Sequence, residues 1–327
     1  MYKKIYFILQ KAQNILIHLH PSPDADCIGS ALAMYVFLKR LKKKVTLISG
    51  DSSVPQSFRN LSLVDKIVEK NFFEVDLKEF DLFLALDTSS REQISKLGTI
   101  KFPRHLTVVN IDHHVSNRGI GKYNLIDKKS PANCQILYEF FEKNRIKIDR
   151  KMALYLILGI YGDTAFKYEK TTYRTFEIIA KLTKINKNFH SPIFDLDNSN
   201  SPEKIKVMVL ALNNIENYFD DKIAISNLRF DDLCQNDLVN IGRENTDIPN
   251  LLKSVITWQI GVQFTEYQKD KIKISMRTRD SKKYDLIKIA KKLGGGGHNS
   301  AAGATLSMPF DQAKELFLKT AKKVYNL

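Results

Sequence analysis

The chain has 327 residues, 43% hydrophobic and 27% charged, which suits a globular protein of two domains. No apolar run nears the ~20 residues a membrane helix needs, and the N-terminal stretch, broken by Gln10, Lys11 and Gln13, is a poor signal peptide. Three scattered cysteines argue against a disulfide framework or a zinc ribbon and fit a cytoplasmic protein. The net charge of +15 favours anionic partners such as nucleotides or nucleic acid, although the codon bias of an AT-rich genome would enrich lysine equally well. Residues 271–327 carry 13 Lys+Arg against 4 Asp+Glu, so +9 of that charge lies there.

The first half alternates apolar strands with helical periods. Strands are expected over 14–20, 44–48, 81–86 and 106–111, and helices over 26–41, 133–143, 152–164 and 172–182. Such alternation implies an α/β domain with a doubly wound, mainly parallel sheet. Residues 187–203 are polar, contain two prolines and read as a linker. Beyond it come a helix over 203–217, strands over 223–228, 256–263 and 272–276, a helix over 284–293 and a closing helix over 311–324. These describe a second, smaller α/β domain. The expected organisation is a first domain over 1–187, a linker and connecting helix over 188–220, and a second domain over 221–327.

Just before the closing helix the chain reads GGGGHNSAAGA, Gly294 to Ala304. Four consecutive glycines give up more backbone entropy on folding than any other four residues. A helix end needs one of them, and a plain linker does not need His298. The absence of β-carbons lets backbone N–H groups approach a phosphate or a base.

Four stretches of the first half place acidic or histidine side chains at expected strand ends or beside a helix. They are HPSPDAD (His20, Asp24, Asp26), ALDTSS (Asp87), IDHH (Asp112, His113, His114) and YGDT (Asp163). Taken singly, Asp24 or Asp26 is a helix N-cap, Asp87 is turn chemistry and Asp163 is a solvated face. Taken together, three of the stretches meet in the crevice beyond the carboxyl ends of the strands, where open α/β sheets bind ligands, and the fourth could join them from a helix. Several carboxylates in one dry cleft repel one another unless cations neutralise them. Oxygen with imidazole nitrogen and no sulfur suits Mn²⁺ or Mg²⁺.

With these stretches in this order, the sequence resembles the DHH phosphoesterase superfamily over nearly its whole length. HPSPDADCIGS, LDTSS, IDHHVSN and GDT match four motifs of the first domain, and GGGGHNSAAG matches the marker of the DHHA1 domain. Ser275-Met276-Arg277-Thr278 matches a further S-x-R-S feature, with Thr in the last place. The resemblance implies two divalent metal ions, Mn²⁺ with Mg²⁺ as the alternative. One would be held by His20, Asp24 and Asp87, the other by Asp26, Asp87, His113 and Asp163. It implies that His114 faces the substrate phosphate, that Asp112 orients a histidine, and that Arg277, Gly294, Gly295, Gly296, Gly297 and His298 bind substrate. The implied branch is the bacterial oligoribonucleases that also dephosphorylate 3′-phosphoadenosine 5′-phosphate, with short RNA oligonucleotides and nucleotides as partners, no membrane partner and room for a homodimer. Cyclic dinucleotide phosphodiesterases are the rival branch. Manganese pyrophosphatases lack the glycine element, and a non-catalytic nucleic-acid binder has no need of the full donor set.

Overall fold

A computed structural model of the chain describes residues 1–167, 171–241 and 246–327. It divides into two compact units, Met1–Ser199 and Asn200–Leu327. Among the described residues no helix is long and apolar enough to cross a membrane.

In the first unit, helix α1 (Tyr2–Lys11) leads into strand β1 (Asn14–His18), helix α2 (Ala25–Arg40) and strand β2 (Lys44–Ile48). Strands β3 (Ile67–Val68), β4 (Leu82–Leu86), β5 (Thr107–Asp112) and β6 (Tyr123–Ile126) follow, then helices α3 (Asn133–Lys143), α4 (Arg150–Thr164), α5 (Tyr173–Ile185) and α6 (His190–Asp197). The described strands form one parallel sheet in the order β3-β2-β1-β4-β5-β6. Its inner strand β4 is apolar throughout because both faces of the sheet are buried there. Ile15, Ile17, Leu82, Leu84, Leu86, Val109 and Ile111 face a core shared with the helices. Leu16, Phe83, Ala85 and Val108, at the alternate positions, face a second core closed by Phe72, Phe80, Ile94 and Ile100 from turns and loops.

The second unit starts with helix α7 (Pro202–Asn213), strands β7 (Ile215–Tyr218) and β8 (Ile223–Leu228), and the short helices α8 (Phe230–Gln235) and α9 (Ile248–Ser254). Strands β9 (Ile260–Gln268) and β10 (Lys271–Thr278), helix α10 (Leu286–Lys292), strands β11 (Gly296–His298) and β12 (Ala301–Ser307), and helix α11 (Phe310–Tyr325) complete it. Its mixed sheet runs β11-β12-β10-β9-β8-β7, with β8 and β9 parallel and the other pairs antiparallel. Val262, Phe264, Ile274, Ile289 and Phe317 pack together on one side of it. Ala211, Ala224, Ile248 and Leu252 form a smaller cluster.

Several elements differ from the sequence reading. The polar stretch over 187–203 contains α6, whose Ile193 and Leu196 pack on the first core and whose Asp197 accepts a hydrogen bond from Tyr161 Oη. The helix expected over 203–217 ends at Asn213, because Ile215–Tyr218 pairs with β8 instead. The strand expected over 256–263 begins at Ile260, opposite Ile223 and Thr278, while Ile256 is 80% exposed. The sequence reading assigned no element to α1, β3, β6, α8, α9, β11 or β12.

Candidate metal centre

The sheet order reverses between β1 and β4, and open α/β sheets bind ligands beyond such a reversal. His20 lies just past β1, Asp87 directly follows β4, and Asp112 ends β5 with His113 and His114 after it. Asp24 is the N-cap of α2, where its Oδ1 accepts from the backbone N–H groups of Asp26 (3.1 Å) and Cys27 (3.0 Å). Capping and cluster membership therefore coexist in one carboxylate, since the same Oδ1 lies 3.7 Å from His20 Nε2. Asp26 sits in the first turn of α2 and Asp163 in the last turn of α4.

Asp87 is the hub. Its Oδ2 lies 3.4 Å from His20 Nε2 and its Oδ1 lies 3.3 Å from His113 Nε2. His113 Nε2 also lies 3.3 Å from Asp163 Oδ2 and 3.9 Å from Asp26 Oδ2. His20, Asp24 and Asp87 each offer a donor atom within 4.8 Å of the others, and so do Asp26, His113 and Asp163. Asp87 is 2% exposed and has a left-handed backbone (φ 52°), a costly conformation that surrounding structure must hold in place. Its Oδ1 is buried without a hydrogen-bond partner among the described residues. An orphaned carboxylate oxygen facing two imidazoles, in a set of oxygen and nitrogen donors, fits a hard divalent cation such as Mn²⁺ or Mg²⁺. The thiols nearby do not compete, because burial pushes both Cys27 and Cys134 up and keeps them protonated.

Electrostatics make the same demand. Burial, with the Asp87 charge beside it, pushes the Asp26 carboxyl up to about 7. Burial, with Asp26 and Asp24 nearby, raises Asp163 well above the carboxylate range. Burial opposes a charge on His113, but the Asp87, Asp26 and Asp163 carboxylates outweigh it and carry the imidazole to about 10. Burial likewise opposes charge on His114, and the hydrogen bond to Asp112 overcomes it. Asp87 resists the desolvation that would raise it because His113 and His20 hold it low. Without cations the cluster retains protons that would otherwise leave carboxylates side by side.

Sequence reasoning missed the supports of this cluster. Asp26 accepts from the backbone N–H groups of Asn133 (Oδ2, 2.5 Å) and Cys134 (Oδ1, 2.8 Å) at the start of α3. Helices α2 and α4 approach through glycines: a β-carbon on Gly29 would lie 2.4 Å from Tyr155 O, and one on Gly162 would lie 2.5 Å from Ala25 Cβ. That approach brings Asp163 to His113. Gly29 and Gly162 stand inside recognised motifs, but nothing in a sequence says that their task is helix contact. Asn117, in IDHHVSN, reaches Asp112.

The residues expected to bind substrate lie in the second unit. Arg277 of β10 and His298 of β11 are both in register with Ala301 of β12, so the three share one row and one sheet face. Gly294 (φ +74°) closes α10, and Gly295 N–H donates to Ala290 O at 2.7 Å. A β-carbon on Gly295 would lie 2.0 Å from Gly303 O, and one on Gly297 would lie 2.5 Å from Ala301 O. At Gly296 it would meet nothing within 4 Å. Much of the glycine run is thus required by close packing against β12.

A parallel sheet with a carboxylate–imidazole cluster at its reversal point, in a chain whose second unit carries a glycine hairpin, marks a phosphoester hydrolase. Residues 14–160 match the DHH family, N-terminal domain, and residues 242–326 match the DHHA1 domain. The chain belongs to the DHH/DHHA1 phosphoesterases. It is 27% identical over 311 residues to the bifunctional oligoribonuclease and PAP phosphatase NrnA of Thermus thermophilus, spanning 94% of this chain and 89% of that one. It is 26% identical over 330 residues to the Mycoplasma genitalium protein of the same name, spanning 97% and 96%. An exopolyphosphatase-related protein from Bacteroides fragilis shares the fold with a TM-score of 0.86 at 20% identity, over 99% of this chain and 96% of that one. RecJ from Thermus thermophilus, solved in complex with Mn²⁺, shares it at 0.52 and 12% identity, over 99% of this chain and 54% of that one.

Proposed function

We propose that this enzyme hydrolyses short oligoribonucleotides, about 2–5 residues long, to mononucleotides. We also assign it the conversion of 3′-phosphoadenosine 5′-phosphate to AMP and phosphate, at the same centre. The carrying observation is the pair of donor sets, His20–Asp24–Asp87 and Asp26–His113–Asp163, with Asp87 in contact with a histidine of each. The names of the relatives at 26–27% identity support the substrate class.

Two divalent cations held there, Mn²⁺ or Mg²⁺, would neutralise phosphate oxygens and lower the pKa of the attacking water. His20, Asp24 and Asp87 would hold one; Asp87, Asp26, His113 and Asp163 would hold the other. Asp24 and Asp26 serve different sites because α2 begins between them, leaving one outside the helix as its cap and one in its first turn. His114 keeps its Nδ1 on Asp112 and steadies the phosphate or protonates the leaving oxygen with the opposite side of its ring. The first unit carries the bond-breaking groups and the second binds the substrate end. There Arg277 offers a bidentate phosphate contact, His298 a hydrogen bond, and Gly294–Gly297 an accessible backbone.

The deciding experiment is a substrate panel with Mn²⁺ and a chelated control. It contains a dinucleotide, a pentanucleotide, 3′-phosphoadenosine 5′-phosphate, a cyclic dinucleotide and long RNA. Metal-dependent turnover of the short linear substrates and the bisphosphate is expected. Faster turnover of the cyclic dinucleotide would replace this reading with a cyclic dinucleotide phosphodiesterase. No turnover of any member would end it.

A further inference from the structure

We propose that Asn117 is a positioning residue for catalysis that fixes His114 through Asp112. The proposal deepens the hydrolase reading and rests on it for its kinetic arm.

Asp112 is fully buried and divides its oxygens between two partners. Oδ1 lies 2.7 Å from His114 Nδ1, and Oδ2 accepts from Asn117 Nδ2 at 2.5 Å. A carboxylate gripped at one oxygen can still turn about its Cβ–Cγ bond. Gripped at both, it presents Oδ1 in one direction only. The orientation of Asn117 is itself fixed. Its Oδ1 accepts from Gly119 N at 2.6 Å, which leaves Nδ2 to face Asp112.

Nδ2 of Asn117 also reaches Asn110 Oδ1 at 2.9 Å and Thr88 O at 3.2 Å. Asn110 in turn donates from Nδ2 to Ala85 O (3.3 Å) and Thr88 O (3.0 Å). Those carbonyls flank Asp87, whose backbone is left-handed. Two buried side-chain amides thus join the Asp87 turn to the Asp112–His114 arm. Buried networks with their partners in place are stiff, because each alternative arrangement strands a polar group in low dielectric.

The consequence concerns the ring of His114. Hydrogen-bonded to a carboxylate through Nδ1, the ring keeps a proton on Nδ1 in both its charge states, so Nε2 is the nitrogen that takes up and gives away the second proton, the one a leaving oxygen would receive. Asn117 therefore selects the tautomer and the ring plane without touching a metal ligand set or the substrate. The contacts of Asn117 to Asn110 and Gly119 would satisfy a purely structural amide; the contact to Asp112 is the one that extends to His114.

The test uses the full chain and four variants: Asn117→Ala, the isosteric Asn117→Asp, Asp112→Asn, and the double Asp112→Asn/Asn117→Ala. Nitrogen-15 spectra of the histidine rings, taken with diamagnetic Mg²⁺ because paramagnetic Mn²⁺ would broaden these signals away, read the His114 tautomer, and dinucleotide hydrolysis with Mn²⁺ gives kcat and KM. Loss of Asn117 should lower kcat by about 10–100-fold, the usual scale for an outer partner of an active-site histidine, with KM within roughly twofold. The Nδ1-protonated signal of His114 should give way to a tautomer mixture. The double variant should be no slower than Asp112→Asn, within about twofold, because both changes act on one chain of contacts. Should Asn117→Ala lower Tm, Asn117→Asp decides, since it keeps the volume and the acceptor for Gly119 but loses the amide donor. Wild-type kcat with an unchanged tautomer would overturn the proposal, and so would losses that multiply in the double variant. If the wild type cleaves no oligonucleotide, the functional reading fails, and the spectra alone decide: the Nδ1-protonated signal kept in both Asn117 variants overturns this proposal.

Discussion

Gly162 of α4 lies directly against Ala25 of α2: a β-carbon on Gly162 would sit 2.5 Å from Ala25 Cβ, a separation no real pair tolerates. The neighbours of both residues in sequence belong to the candidate metal centre. Asp163 follows Gly162, and Asp24 and Asp26 bracket Ala25. Helix contact and donor geometry are thus one constraint. Gly162→Ala should force the helices apart, at an overpacking cost of about 1–3 kcal/mol. Displacing Asp163 from His113 should also weaken Mn²⁺ binding by at least about tenfold, since 1.4 kcal/mol of lost coordination already suffices. Thermal unfolding and metal titration measure the two effects separately. A variant that loses stability but keeps wild-type metal affinity would break the link.

Asp87→Asn should separate fold from chemistry. Asparagine tolerates the left-handed backbone that Asp87 adopts, so the turn after β4 should persist. The charge shared between His20 and His113 is lost. Turnover should fall by at least about 10³-fold, as expected when charge stabilisation of the transition state is removed, while circular dichroism stays that of the wild type. Activity within tenfold of wild type would show that Asp87 does not join the two donor sets.

Proton release should accompany metal binding. In the metal-free cluster Asp26 titrates at about 7 and His113 at about 10, each raised as described above. Below those values the groups hold protons that a cation must displace. Apparent Mn²⁺ affinity should therefore rise with pH between about 6 and 9, by up to about tenfold per unit for each proton displaced. Calorimetric titration in two buffers of different ionisation enthalpy counts those protons directly. Affinity independent of pH over that window would mean that the ligands are already deprotonated.

The donor residues were legible because their chemistry survives in one dimension. Carboxylates and imidazoles at expected strand ends or on a neighbouring helix have few bland explanations once four such stretches occur in order. Their supports were not legible. The grip of the α3 backbone on Asp26 spans more than a hundred residues and involves no distinctive side chain. Asn110 reads as one more polar residue ahead of IDHH until its amide is seen bridging Ala85 and Thr88. Helix α6 was hidden because its few apolar residues, Ile193 and Leu196 among them, are enough to dock on a core that already exists. Strand β11 was hidden because glycines signal flexibility, whereas here the lack of β-carbons at Gly295 and Gly297 is what lets the chain lie against β12.

The glycine run allows a contrast that separates packing from substrate contact. Gly295→Ala would drive a β-carbon to 2.0 Å from Gly303 O, so it should destabilise the β11–β12 hairpin by an amount visible in Tm. Gly296 has open space around the position a β-carbon would take, and its fold has no steric need of glycine. Gly296→Ala should leave stability within about 0.5 kcal/mol of wild type. If backbone at this position meets the substrate end, the same variant should raise KM for short oligonucleotides several-fold with kcat nearly unchanged, since a contact made equally in ground and transition states affects binding alone. His298→Ala should share that signature, because His298 lies in the same strand and in one row with Arg277. Asp87→Asn should show the opposite pattern, with kcat lost. Gly296→Ala and His298→Ala enzymes that bind and cleave a dinucleotide as the wild type does would assign the whole run to packing and leave substrate recognition to other residues.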